Sequence, residues 1–132
     1  LDLSRFTMLT SVEVYKTPVM GLPTSLVKCE VKVRSDFDFS PFTSLTSLEV
    51  SLQPDVKVTF PTGLKRLRVN EGNIDNTNVS DIALESFNSG WRCPLTRDKL
   101  EKLPKTLKII KGTFEPESLE EHLGEIFPQL EQ

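Results

Sequence analysis

Few residues of this chain have the types and the spacing that catalysis requires. His122 is the single histidine and lies among glutamates, and neither Cys29 nor Cys93 has another cysteine or a histidine at metal-ligand spacing. Catalytic triads and zinc centres need several such groups in a defined pattern. No phosphate-binding glycine loop or hydrolase motif occurs either. The sequence therefore predicts that the chain is not an enzyme and holds no cofactor or metal ion.

The composition narrows the classes of partner. The chain has 132 residues, with 16 lysines and arginines against 19 acidic residues and a net charge of −3. Nucleic-acid binding draws most of its affinity from an excess of basic residues, which this chain lacks. No apolar run approaches the roughly 18 residues of a membrane-spanning helix. We therefore expect neither nucleic acid nor membrane as a partner, and two cysteines outside any disulfide framework favour the cytoplasm.

The elements that position the remaining polar residues follow from an internal repeat. Residues 1–14 (LDLSRFTMLTSVEV) and 37–50 (FDFSPFTSLTSLEV) are identical at nine of fourteen positions. A second motif, LPTSLVKCEV at 22–31, resembles FPTGLKRLRV at 60–69 and LPKTLKII at 103–110. The alternating apolar residues of each unit predict a short strand with one buried face, and stacked units predict a solenoid of parallel strands. The units align on one leucine of the pattern L-x-x-Z-x-Z, where Z is apolar except for Gly112 in the last unit: Leu9, Leu26, Leu45, Leu64 and Leu107.

This pattern resembles the leucine-rich repeat (LRR) family, in particular its short, irregular bacterial and protist arrays. The resemblance covers residues 1–75 well and 103–132 in part. It implies an α/β solenoid, a stack of short parallel strands with irregular convex segments and a few short helices; a generic β-solenoid is the alternative. The family's asparagine two residues after the strand is absent, which predicts irregular coils; the corresponding positions are Thr17, Arg34, Gln53 and Gly72.

The stretch between the regular units is harder to interpret. Residues 76–102 are predicted to be a degenerate repeat, in which 78–87 fits either a strand or a short helix. Residues 88–94 (NSGWRCP) are predicted to be a turn, and 96–103 a short helix with Thr96 as its N-cap. Residues 115–127 have the acidic start and the apolar stripe of an amphipathic helix. The last six residues, FPQLEQ, look like the opening of another repeat, so we expect 1–132 to be one segment of a longer array with neighbouring repeats missing.

The candidate binding residues lie between the inward positions of the predicted strands. They are expected to face solvent on a concave wall, in columns about 4.8 Å apart from strand to strand. The wall is acidic toward its N-terminal strands and basic toward its C-terminal strands. This charge pattern fits either a docking surface for a partner of complementary charge or a sheet face that is simply solvated. The predicted partner-binding residues are Glu13, Tyr15, Lys28, Glu30, Lys32, Glu49, Arg66, Arg68, Asn70 and Lys111.

Trp91 and Arg92 form a second candidate site. They could anchor a partner from a projecting loop, since tryptophan and arginine are favoured at binding hot spots, or Trp91 could fold back over the edge of the core. Taken together, the sequence predicts a protein–protein interaction module, or scaffold, whose partner is another protein. The alternatives are the substrate-recognition arm of a larger enzyme, as in bacterial effector ubiquitin ligases, and an extracellular adhesin segment glycosylated at Asn78, which begins an Asn-Val-Ser sequon.

Overall fold

The described part of the chain is built around a sheet of six parallel strands. The computed structural model describes residues 5, 11–14, 24–34, 36–53, 55–72 and 74–131. The large sheet has the order β1-β2-β4-β6-β7-β8, and β3 pairs in parallel with β5 in a small second sheet. Two short helices, α1 (Arg97–Glu101) and α2 (Leu123–Ile126), complete an α/β arrangement. The strands are β1 (Ser11–Val14), β2 (Lys28–Val33), β3 (Phe37–Asp38), β4 (Ser47–Leu52), β5 (Val58–Thr59), β6 (Arg66–Glu71), β7 (Ser86–Arg92) and β8 (Ile109–Lys111).

The strands form where apolar residues alternate with polar ones. In β2 and β4 every second side chain is buried, because successive side chains of a strand point to opposite faces of the sheet. The inward positions align across the sheet: Cys29 pairs with Leu48, Leu48 with Leu67, and Leu67 with Phe87. One face of the sheet is therefore the wall of a continuous apolar core, and the other face carries the polar residues.

A buried leucine precedes each strand from β2 onward, apart from the two short strands of the second sheet. These leucines are at most 1% exposed, and burying each one contributes about 1.5–3 kcal/mol. The backbone near them repeats as well: the Lys65 amide donates to the Thr46 carbonyl, and the Glu85 amide donates to the Lys65 carbonyl. The same bond recurs at the end of the chain, where the Glu131 amide donates to the Lys108 carbonyl at 2.7 Å. The five leucines are Leu26, Leu45, Leu64, Leu84 and Leu107.

A second layer covers the core between the long strands. The rings of Phe37 and Phe39 lie 4.5 Å apart, and Phe42 packs against both. Farther along, isolated parallel bridges join Val58 to Thr77 and Leu95 to Phe114. These contacts hold the returning segments against the sheet without long helices.

The stretch between the regular units departs from the sequence prediction. Residues 78–87 are neither one strand nor one helix: a 3₁₀ turn at Val79–Asp81 leads into β7, which starts at Ser86. The predicted turn at 88–94 is wrong, because most of it belongs to β7, paired with β6. Leu84 and Phe87 fill the leucine and first apolar positions of a repeat, but the next inward position is Ser89. A polar residue in that position hides the repeat from a search for apolar alternation.

The two predicted helices differ in how well they form. The α1 helix begins after Thr96, whose hydroxyl accepts a hydrogen bond from the Lys99 amide at 3.4 Å, as the cap prediction requires. The segment 115–127 is not one α-helix but a 3₁₀ helix at Glu117–His122 followed by the single turn of α2. Leu119 and Leu123 are buried, as the predicted apolar stripe requires. Gly124 lies in the same segment and lowers the helix propensity of that segment.

Candidate functional site

The predicted columns of polar residues lie side by side on the face of the large sheet opposite the core. We call this surface the polar face, and it carries two aligned rows. The strand register places them as the spacing of the repeats predicts, and β7 adds one residue to each. The first row is Lys28, Ser47, Arg66, Ser86 and Ile109. The second row is Glu30, Glu49, Arg68, Asn88 and Lys111, and the Glu13 backbone pairs in register with Glu30.

The third predicted column is only partly formed. Lys32 pairs with Ser51 as expected, but the register then shifts, and Ser51 pairs with Glu71 instead of Asn70. A bulge of this kind inserts one extra residue in a strand, so Asn70 is displaced from the column. Tyr15, the first member of the predicted column, lies outside the described residues.

Asn70 instead completes a cluster in the second row. Its amide nitrogen donates to Glu49 Oε2 at 2.9 Å, and its oxygen accepts from Arg68 Nε at 2.8 Å. Arg68 Nε also lies 3.8 Å from Glu49 Oε1. The three side chains thus satisfy one another, and the charges of Glu49 and Arg68 offset each other. Both side chains are partly exposed, so solvent screening keeps the stabilisation from this ion pair small.

The first row has no such compensation. Lys28 and Arg66 are exposed, and within the described ranges neither side chain has a hydrogen bond or an ion pair. The half-buried hydroxyls of Ser47 and Ser86 lie beside Arg66 in the same row. The two rows line a shallow groove of about 200 Å³ across β2, β4, β6 and β7. The groove therefore presents two cations and two hydroxyl groups that can still receive partners.

The second candidate site is not a projecting loop. Trp91 and Arg92 both belong to β7, and Arg92 pairs with Glu71 across the register shift between β6 and β7. Their side chains form an ion pair as well, with Arg92 Nη1 3.8 Å from a Glu71 carboxylate oxygen. The expectation that this segment forms a projecting loop is thus wrong, because the backbone continues the sheet.

Neither cysteine has the environment of a nucleophile. Burial raises the pKa of the Cys29 thiol from its ordinary value of 9.0 to about 12, with a smaller contribution from the charge of Glu30. Burial also raises the pKa of Cys93, and the charge of Lys99 opposes this only in part. The Cys93 thiol donates to the Gly72 carbonyl at 3.3 Å. Both thiols thus stay protonated at neutral pH and act as small buried side chains.

The remaining titratable residues offer no cluster for chemistry. His122 is exposed and lies 3.6 Å from Glu125 on the C-terminal segment. Across the part of the chain that the structure describes, no three histidine, cysteine or acidic side chains are grouped so that they could hold a metal ion. Over the same residues, no helix has the length and apolar character needed to cross a membrane. No protein-family model matches the chain, and no curated protein or solved structure matches it either.

Proposed function

We propose that the chain is a protein-interaction module of leucine-rich-repeat type, in which the stacked units form a solenoid and a partner protein docks on the polar face. The observation that carries this proposal is the register. Five strands, from two repeated motifs and the degenerate stretch between them, bring their outward-facing residues into two continuous rows. The proposal places the module in the cytoplasm, where its two free thiols stay reduced.

The shape of the surface favours a macromolecular partner over a small ligand. Small-molecule sites are usually enclosed pockets of about 300–1,000 Å³. The groove on the polar face, at about 200 Å³, is smaller and open. Six strands spaced about 4.8 Å apart present a surface roughly 24 Å wide. A surface of that width, lined by residues from successive strands, suits a protein partner that contacts several repeats at once.

Two further roles remain compatible with the same face. The segment could select substrates for a catalytic domain elsewhere in a larger protein, and that role would use the polar face in the same way. The adhesin role finds less support. The Asn78 amide nitrogen donates to the Phe60 carbonyl at 3.0 Å, and its oxygen accepts from the Phe60 amide at 2.6 Å. A glycan on that nitrogen would break the first of these bonds, which favours an unglycosylated protein.

The test is affinity capture from cells that naturally express the protein, read by mass spectrometry. The bait is compared with the double variant Arg66→Glu and Arg68→Glu, which reverses both arginines of the polar face. A control, Lys57→Glu with Arg97→Glu, makes the same charge change at two exposed residues away from the large sheet. We expect a partner that is captured by the unmodified chain and by the control but lost by the polar-face variant. Equal capture by all three baits would contradict docking on this face.

A further inference from the structure

We propose that the first row of the polar face binds an acidic, extended peptide segment of the partner. In this arrangement Lys28 and Arg66 each receive one carboxylate, and the Ser47 and Ser86 hydroxyls donate hydrogen bonds between and beside them. The inference rests on the proposed function and names the chemistry of the partner. Its physical basis is the charge state of the first row, the spacing of the two cations and the openness of the groove.

The cations of the first row differ from five cations elsewhere in the described molecule that have a carboxylate partner. Arg68, Arg92 and Lys102 each lie within 4.0 Å of a carboxylate, as do Lys65 and Arg97. Among the described residues Lys28 and Arg66 have no such carboxylate, although both lie on the same face as acidic side chains. Glu49 is already engaged by Arg68 and Asn70, and Glu30 also has an interaction of its own. Glu30 and Glu49 are therefore already engaged, and these two cations are left to attract an anion from outside.

The overall charge makes this row more distinctive. The chain carries a net charge of −3, yet the first row holds two cations and no acidic residue. A local positive surface on an acidic protein attracts anionic groups to one place and repels them elsewhere. Complementary charge of this kind chiefly sets specificity and the rate of association.

The spacing of the cations selects the form of the peptide. Lys28 lies on β2 and Arg66 on β6, with Ser47 of β4 between them in register. Two steps of the strand spacing separate their backbones by about 9.6 Å. In a polyproline II helix, side chains three residues apart point the same way and are separated by about 9.3 Å. A Glu-x-x-Glu segment in this conformation, crossing the strands, thus matches the row, whereas residues two apart in a β-strand span only about 6.8 Å.

The two cations would hold the carboxylates differently. The planar guanidinium of Arg66 can donate two parallel hydrogen bonds to one carboxylate, while the Lys28 ammonium acts as a point charge. Both side chains are exposed, and exposed ion pairs are individually weak. We therefore expect an isolated peptide to bind with a dissociation constant on the order of 1 mM. The full partner would add contacts with the second row.

The experiment is a nuclear magnetic resonance titration of the whole 132-residue chain, which suits weak binding. The probe is acetyl-Pro-Glu-Pro-Pro-Glu-Pro-amide, and we expect shifts concentrated at the amides of Lys28, Ser47, Arg66 and Ser86. The double variant Lys28→Glu with Arg66→Glu is expected to weaken binding roughly tenfold or more, while Lys57→Glu leaves it unchanged. Raising the salt from about 20 mM to about 300 mM should weaken binding as well. A peptide with two adjacent glutamates, of equal charge, should bind roughly threefold more weakly because it cannot span the row.

Several outcomes would overturn the inference. One is a set of shifts outside the first row, and another is equal binding by the double variant. Tighter binding of a single-stranded RNA oligonucleotide at the same row would show a general polyanion site instead of a peptide site. The inference and the proposed function can fail separately. If affinity capture depends on Arg66 and Arg68 but the peptide does not bind, the docking face stands and the acidic segment is wrong. If the peptide binds but no captured protein depends on the face, the proposed function is wrong.

Discussion

Gly72 shows how one residue type allows two strands to approach closely. It follows β6 with a φ of +114°, a region that L-residues with side chains rarely adopt. A Cβ at this position would lie 2.5 Å from Leu52 Cβ and 2.7 Å from the Leu52 carbonyl oxygen. The glycine thus permits both the turn after β6 and its contact with the end of β4.

Changing Gly72→Ala should therefore destabilise the fold. We expect the free energy of unfolding to fall by about 2 kcal/mol or more, from the unfavourable φ and from the clash with Leu52. Gly124→Ala is the matched control, because Gly124 lies in α2 and an added Cβ there would meet nothing within 4 Å. That change should raise the free energy of unfolding by about 0.5–1 kcal/mol through helix propensity. Urea denaturation followed by circular dichroism measures both, and equal effects of the two changes would contradict this account.

A second prediction at the residue scale concerns how the Cys29 thiol makes the stability of the fold depend on pH. Its folded pKa of about 12 lies above its ordinary value of 9.0. Below pH 9 the thiol is protonated in both states, so its contribution to stability is complete. As the pH rises from about 9 to about 12, the unfolded thiol ionises while the folded thiol does not, and stability falls. The variant Cys29→Ala lacks this contribution.

The measurement is chemical denaturation of both proteins across this pH range. We expect the decline in the free energy of unfolding with pH to be steeper for the unmodified chain than for Cys29→Ala. Lysines and the tyrosine also titrate in this range, but they are common to both proteins and cancel in the difference. Parallel declines would show that the Cys29 thiol ionises equally in the folded and unfolded states.

At the scale of elements, the strands β2, β4 and β6 could be predicted from sequence because local pattern and tertiary packing agree, whereas the two-residue strands β3 and β5 were not predicted. The aligned leucines fix where each strand begins, and the inward rows then follow with the correct partners, such as Leu48 with Leu67. β7 could not be predicted in the same way. Its second inward residue is Ser89, which is 3% exposed and whose hydroxyl has no hydrogen-bond partner among the described residues. The usable signal was Leu84 with Phe87, spaced like Leu64 with Leu67.

The candidate site could also be predicted from the sequence only in part. The residues that β2, β4, β6 and β8 contribute to the two rows follow from the repeat alone, because residues in register lie beside each other in any parallel sheet, but Ser86 and Asn88 of β7 do not. The position of Asn70 could not be derived, since the bulge after Val50 depends on how β6 meets both of its neighbours. The Glu49–Arg68–Asn70 cluster is a consequence of that bulge. Only the structure therefore shows that Glu49 and Arg68 of the second row have partners within the protein, whereas the described first-row cations do not.

Asn78 links two elements of the second layer, and its role can be tested. Its side chain both donates to and accepts from the Phe60 backbone, in place of capping the 3₁₀ turn that it precedes. Phe60 is buried, so Asn78→Ala would leave two backbone groups near the core without partners. We expect a loss of about 2–3 kcal/mol in the free energy of unfolding. The control is Asn76→Ala in the same segment, where the exposed side chain has no hydrogen bond among the described residues.

This comparison is read by thermal and urea denaturation of the two variants. Asn76→Ala is expected to change the free energy of unfolding by less than about 0.5 kcal/mol, as surface substitutions commonly do. If both variants unfold like the unmodified chain, the Asn78 hydrogen bonds add nothing to the free energy of unfolding, because hydrogen bonds between water and the Phe60 backbone replace them equally well. In that case the structural argument against a glycan on Asn78 would fail as well.

At the scale of the whole molecule, the described sheet ends in two strands that each have one neighbour, β1 and β8. The one backbone hydrogen bond found among the described residues between the C-terminal segment and the edge of β8 runs from the Glu131 amide to the Lys108 carbonyl, just before the strand. Beyond that bond, the groove between β8 and the C-terminal segment has a volume of about 470 Å³ and includes Ile109 and Leu130. Edge strands with exposed apolar side chains are templates for pairing with another strand. The edge of β8 beyond Lys108 thus has the features of a site for strand addition.

Two substitutions can show whether self-association arises from strand pairing at the edge of β8 or from exposed apolar side chains in general. Ile109 is 41% exposed on β8, and Val27 is 42% exposed just before β2, whose two neighbours β1 and β4 are both in place. If strand addition drives self-association at high concentration, Ile109→Lys should suppress it, because a charged side chain on an edge opposes pairing. Val27→Lys, with the same change in charge and nearly the same apolar exposure, should leave it intact. Sedimentation velocity over a range of concentrations measures both, and equal suppression would assign the association to exposed apolar area. A chain that stays monomeric at every concentration would contradict strand addition at the edge of β8.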